Sequence, residues 1–151
     1  MSTYEALNDL LVRLFRDVME VEQKALINQE YRDITNNDMH VIRAIGTGPS
    51  KNMSSIAREL SVTVGTLTIA MNSLVKKGYV VRERGKEDRR IVFISLSAKG
   101  RSAYEHYERF HREMIASLLD GLGREEIDVL IKTLTHLNQW FRQKEKENMK
   151  K

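Results

Sequence analysis

At 151 residues, with 41% apolar and 30% charged side chains, the chain is one domain's worth of sequence that can bury a core beneath a large wet surface. Its lack of cysteine excludes disulfides, thiolate metal sites and thiol redox switches. No apolar run approaches the ~18 residues of a membrane span, and the acidic N-terminus lacks the basic start of a secretory signal, so a cytoplasmic location with no membrane partner is expected.

Residues 4–28 place Leu7, Leu10, Leu11, Leu14, Phe15, Val18, Val21 and Ala25 at helical spacing, which predicts one long amphipathic helix. Thr35 to Asp38 resembles a capping box ahead of a short helix over Met39 to Ile45. The stretch from Gly46 to Ser50, with the single proline, breaks the chain. Asn52 or Ser54 starts a second short helix over Ser55 to Leu60, and Thr63 caps a third over Val64 to Lys77, which Gly78 ends. Val80 to Arg84 and Ile91 to Leu96 read as two strands joined by Gly85 to Arg89. Ser97 caps a long helix over Ala98 to Leu119, the 121–123 GLG turns the chain, and Glu125 and Glu126 open a last helix striped by Ile127, Leu130, Ile131, Leu134, Leu137 and Phe141. The basic tail from Arg142 reads as a fraying, solvated end.

The fold class expected is mainly α with a small β-wing: a winged helix-turn-helix head over 35–97, and a helical dimerisation body from 4–34 and 98–147, in one domain. The terminal stripes are wider than a single core requires, which suits a dimer.

The third short helix carries the clearest chemistry. A helical wheel groups Val64, Leu67, Met71, Leu74 and Val75 on a buried side. Gly65, Thr66, Ile69, Asn72, Ser73 and Lys76 lie opposite, with Thr63 and Thr68 beside them. That face holds no carboxylate, which is unusual for an exposed helix and favourable beside phosphate. Short hydroxyl residues permit close approach, Asn72 can address an adenine edge, and Lys76 can meet a phosphate. Ile69 sits at the centre of the polar face. A thymine methyl gives a β-branched residue a reason to be there; packing against the hairpin is the alternative.

Charge points the same way. From Lys76 to Arg101 nine Lys/Arg face three acids, or +6, so the rest of the chain sums to 4 − 6 = −2. In the hairpin, Arg84, Lys86, Arg89 and Arg90 surround a tip whose Asp88 should pair with an arginine and stiffen the loop. Arg89 is then the freer side chain for a minor groove. A solvated surface hairpin would look similar by itself; directly after the helix, the pair implies duplex DNA.

Residues 60–100, LSVTVGTLTIAMNSLVKKGYVVRERGKEDRRIVFISLSAKG, resemble the MarR family of winged-helix regulators, with the 88–90 DRR at the wing signature and the 96–100 LSAKG at the start of the next helix. More narrowly, residues 36–46, 62–79 and 109–130 resemble the family's repressors of fatty-acid synthesis. The resemblance implies a homodimer on a pseudo-palindromic operator, with acyl carrier protein bearing a long acyl chain as corepressor. Many members carry a basic residue where this chain has Ile69, so a generic family base code does not transfer.

An acyl chain needs a dry, adaptable tunnel, which Phe15, Met19, Met39, Ile42, Phe110 and Met114 could line; ordinary core is the alternative for each. The histidines at 40, 106, 111 and 136, with Glu22, Glu105 and Glu108, lack metal-ligand spacing, and His106 and His111 are five apart, off the i,i+4 face. No metal and no cofactor are expected. Without a phosphate loop or nucleophile elbow, the chain does not read as an enzyme. Two alternatives stay open: a MarR-type repressor released by a small hydrophobic ligand, and a helical protein-interaction module.

Overall fold

The computed structural model describes residues 1–26 and 29–149. The chain runs through α1 (Thr3–Leu26), a 3₁₀ turn (Gln29–Tyr31), α2 (Asn36–Ile45), β1 (Lys51–Asn52), α3 (Met53–Leu60), α4 (Val64–Lys76), β2 (Val80–Arg84), β3 (Val92–Leu96), α5 (Ala98–Leu119) and α6 (Arg124–Met149). The expected extension of the first helix to Asn28 lies outside the described residues. Two compact units divide the chain, one from Met1 to His111 and one from Arg112 onward. No described helix is long and apolar enough to cross a membrane.

Caps explain the boundaries. Thr35 Oγ1 accepts from Asp38 N–H at 3.1 Å while the Asp38 carboxylate accepts from Thr35 N–H at 3.1 Å, so α2 starts at Asn36, three residues before its first buried apolar side chain. Asn52, rather than Ser54, caps α3 through a 2.8 Å bond from Ser55 N–H. Ser61 adopts a left-handed conformation (φ 56°) and turns α3 into α4. At the far end of α4, Tyr79 N–H bonds to the Leu74 carbonyl and Gly78 N–H to the Val75 carbonyl, with Gly78 at φ 86°. A side chain there would be strained, so glycine fixes where α4 stops.

The head closes around Ile42, Ile45, Ile56, Leu67, Met71, Leu74, Tyr79 and Ile94, each almost wholly buried. They come from α2, α3, α4, the start of the hairpin and β3, and Ala103 and Tyr107 of α5 join them. Each such side chain contributes roughly 1.5–3 kcal/mol by leaving water. β3 sits between β1 and β2, both antiparallel to it, with Arg82 opposite Ile94 and Val80 opposite Leu96.

Three sequence expectations change. Val64, expected on the buried side of its helix, is 46% exposed: it is the first residue of α4, and burial along that side begins one turn later at Leu67. The two-residue β1 was not foreseen; Lys51 and Asn52 are too short a run for a period-two signal. The tail from Arg142 is helical to Met149, with a Lys144–Glu147 pair at 3.4 Å on its surface.

Candidate nucleic-acid interface

Thirteen residues make α4 about 20 Å long, enough to lie across a major groove. Leu67, Met71 and Leu74 anchor it, and this spacing turns Thr66, Ile69, Asn72 and Lys76 outward. Ile69 is 75% exposed, so the hairpin does not cover it. A large apolar side chain is therefore held in water at the centre of a helix that carries no acid along its whole length.

The hydroxyls foreseen as contacts are partly engaged within the helix. Thr63 Oγ1 accepts from Thr66 N–H at 3.1 Å and donates to Thr66 Oγ1 at 2.9 Å, while Thr68 Oγ1 bonds back to the Val64 carbonyl at 2.7 Å. These bonds fix the first turn, with Gly65 exposed beside it. Ser73 is half-buried and Lys76 is exposed in the last turn.

Asn72 has a partner that sequence did not suggest: its Oδ1 accepts from a guanidinium N–H of Arg82 at 2.7 Å. Arg82 lies in the middle of β2, ten residues on, and strand alternation puts it on the face it shares with Val80 and Arg84. The helix and the wing are thus joined at the surface by one charged bond.

At the wing tip Asp88 grips Arg90 through Nε at 3.1 Å, a terminal nitrogen at 3.1 Å and the backbone N–H at 3.0 Å. Those bonds hold the Asp88 carboxyl below the usual carboxylate range. Gly85 N–H to the Ile91 carbonyl at 2.8 Å closes the loop. Among the described residues, Arg84, Lys86 and Arg89 hold no ion pair and are exposed, so their charge faces solvent.

Behind this surface Tyr79 donates to Asp33 at 2.6 Å, and Lys99 stands 4.4 Å over its ring and 3.9 Å from the Asp33 carboxylate. Lys77 reaches the Asp33 carbonyl and, at 3.4 Å, Asp38. The C-terminus of α4, the start of α2 and the start of α5 are tied together at this point.

The six side chains considered for an acyl tunnel fall into different settings. Met39 and Ile42 belong to the head core, Phe15 and Met19 are 61% and 60% exposed on α1, and Phe110 and Met114 are half-buried on α5. Of the histidines, His106 Nε2 lies 2.6 Å from the Ala25 carbonyl, His111 packs against the Tyr107 and Phe110 rings, and His40 and His136 are exposed on α2 and α6. Among the described residues no three His, Asp or Glu converge on a possible metal position.

This surface has known counterparts. Residues 34–92, which hold α2 to the start of β3, match the MarR family profile. The chain is 30% identical over 130 residues to the HTH-type transcriptional regulator SarZ of Staphylococcus haemolyticus, covering 86% of this chain and 87% of that one. It is 23% identical to the transcriptional repressor MdtR of Bacillus subtilis over 99% of its own length and 97% of the relative's. Its structure superposes on that of Streptococcus pneumoniae FabT in complex with DNA with a TM-score of 0.83 at 38% identity, covering 93% of this chain and 98% of the other. With a reading helix, a basic wing and these relatives in hand, the chain belongs to the MarR family: it is a DNA-binding transcriptional regulator, not an enzyme.

Proposed function

We propose that this regulator represses fatty-acid synthesis genes as a homodimer on a pseudo-palindromic operator, with acyl carrier protein bearing a long acyl chain as corepressor. The similarity to FabT over nearly the whole chain carries this reading. Apolar helix faces support the dimer. In the first unit α1 leaves Leu7, Leu10, Leu14 and Phe15 bare, and in the second α6 leaves Ile131, Leu134 and Phe141 bare along one face. Exposed apolar stripes of this size are interaction surfaces in soluble proteins. A twofold assembly would present two copies of α4 to successive major grooves, ~34–36 Å apart.

In this reading Ile69, Asn72, Ser73 and Lys76 address the major groove. Thr63, Gly65, Thr66 and Thr68 shape its approach, and Arg84, Lys86, Arg89 and Arg90 follow the backbone into the minor groove, with Asp88 bracing the tip. The acyl chain would enter among Phe15, Met19, Met39, Ile42, Phe110 and Met114, which requires rearrangement, since Met39 and Ile42 are packed in the head.

The test is a duplex titration with and without long-chain acylated carrier protein. Tighter DNA binding in its presence is expected, and DNA must then tighten acyl-carrier binding by the same factor. Unchanged affinity would remove the corepressor; weaker binding would point to release by ligand.

A further inference from the structure

We propose that Arg82 is a specificity-determining residue that sets Asn72 to read guanine rather than adenine. The inference rests on the reading of α4 as the major-groove helix and deepens it.

A guanidinium has only donors, so the Asn72 atom 2.7 Å from Arg82 is necessarily the carbonyl oxygen. That fixes the amide's orientation: Oδ1 points back toward the wing and the two Nδ2 hydrogens face away from it. Adenine presents an acceptor, N7, and a donor, the N6 amino group, and an asparagine reads it bidentately only by both donating and accepting. Here one of the two lone pairs of the accepting atom is held by a cation, and an adenine amino group brought to the other would approach the donor-rich guanidinium, donor against donor. Guanine presents two acceptors, N7 and O6. A pair that offers Nδ2–H from Asn72 and further N–H groups from Arg82 matches that edge and mismatches adenine.

The setting supports a role in reading rather than one confined to structure. Both side chains are exposed, and an exposed bond of this kind contributes little to folding. No acid on α4 competes for Arg82, and strand alternation places Glu83 on the other face of β2. Arg82 also shares its face with Arg84, so a second guanidinium stands on the same side of β2 toward the wing tip.

The experiment is selection of tight-binding duplexes from a randomised pool by the full-length protein, followed by titration of a panel carrying all four base pairs at each half-site position. Asn72→Ala locates the pair that Asn72 reads, by relaxed preference there. The wild-type protein is expected to prefer G·C at that pair. Arg82→Ala, by freeing the Asn72 oxygen, is expected to turn the preference toward A·T, changing the ratio of the two affinities by roughly 5- to 150-fold. Arg82→Lys, which keeps the charge but not the fork, should weaken the G·C preference and, should the alanine variant not fold, decides the matter alone. Adenine preferred by the wild type, an unchanged preference in the Arg82 variants, or a uniform loss across all sequences overturns the proposal. Failure of the wild-type protein to enrich any duplex would instead sink the DNA-reading assignment of α4, and the proposal with it.

Discussion

Asp88 and Arg90 close the wing on itself: two carboxylate oxygens meet the forked guanidinium at 3.1 Å each, and the Arg90 backbone N–H adds a third bond to the same acid. A bidentate pair two residues apart acts as a strut, and Arg89, between them, is left exposed and outside it.

Asp88→Ala should therefore loosen the wing without unfolding the head. The pair lies at the surface and its loss should leave the melting temperature nearly unchanged, since solvent-screened ion pairs add little to stability. Duplex affinity should fall by several-fold, most on A·T-rich flanks, as fluorescence anisotropy would report. Because the Asp88 carboxyl is depressed in the folded state, the strut is fully present above about pH 4 and is lost as pH falls through the lower folded value. A variant that binds as tightly as the wild type at neutral pH would mean that wing rigidity does not matter.

The Tyr79–Asp33 bond gives the head its own pH dependence. Tyr79's bond lowers the Asp33 carboxyl, helped by Lys99, while burial, then the bond to Asp33, pushes the Tyr79 hydroxyl up. A depressed carboxyl contributes stability above about pH 3.9 that is lost as pH falls through its folded value; a raised phenol contributes stability below about pH 10 that is lost as pH rises toward its folded value. Tyr79→Phe keeps the buried ring and should cost about 1 kcal/mol, below the usual range for a charged partner because the Asp33 side chain is half exposed to water. Denaturant midpoints taken from pH 3 to 11 should show both limbs flattened in the variant. Parallel curves for the two proteins would refute the linkage.

Gly100 stands where α5 leaves the wing. A Cβ there would sit 2.1 Å from the Tyr79 carbonyl oxygen and 3.2 Å from the Leu96 Cβ, while Ser97 holds the same corner through a 2.9 Å backbone bond to Tyr79 and a 2.5 Å bond to the Gly78 carbonyl. Neither neighbour is a flexible side-chain end that can step aside. Gly100→Ala should cost about 1–3 kcal/mol or more, read as a drop in melting temperature, whereas Ala at exposed Gly48, which has nothing within 4 Å, should not.

The elements were legible where one residue decides them. Thr63 and Gly78 bracket α4 because a hydroxyl acceptor and a left-handed glycine each answer a specific need of helix ends, and the Leu67, Met71, Leu74 spacing names its buried face. That Asp88 would pair with an arginine was readable because several stand within a few residues of it; that the partner is Arg90 came from the structure. Asn72–Arg82 was not, since its geometry depends on how a strand crosses a helix, and neither residue carries that information alone. The Tyr79–Asp33–Lys99 knot spans 46 residues between tyrosine and acid and was missed for the same reason. Val64 misled because periodicity assumes that burial runs to the end of a helix, and in α4 it begins one turn in, at Leu67.

Phosphate binding has its own signature. If a dimer places six to ten Lys/Arg on the backbone, affinity should fall ~10³–10⁵-fold between 50 and 200 mM salt. Lys76→Ala or Arg89→Ala should each reduce the slope of log K against log salt by about 1 for every phosphate the side chain neutralises, with sequence preference otherwise kept at positions the residue does not touch. A salt-independent affinity would leave the basic stretch without a role in DNA binding.

Ile69 offers the sharpest single-residue test. At 75% exposure it adds little to the fold, so Ile69→Ala should change stability by no more than about 0.5 kcal/mol. Its apolar end can instead gain only from an apolar partner, and the major groove supplies one group of that kind, the C5-methyl of thymine. Replacing thymines of a bound half-site by deoxyuracil, one at a time, removes that methyl and nothing else from the groove. One replacement should weaken the wild-type protein by about 1 kcal/mol, near the value of a buried methylene, and the same replacement should be without effect on Ile69→Ala. Equal losses for both proteins would place the methyl contact on another residue, and no loss for either would leave Ile69 facing water in the complex as it does alone.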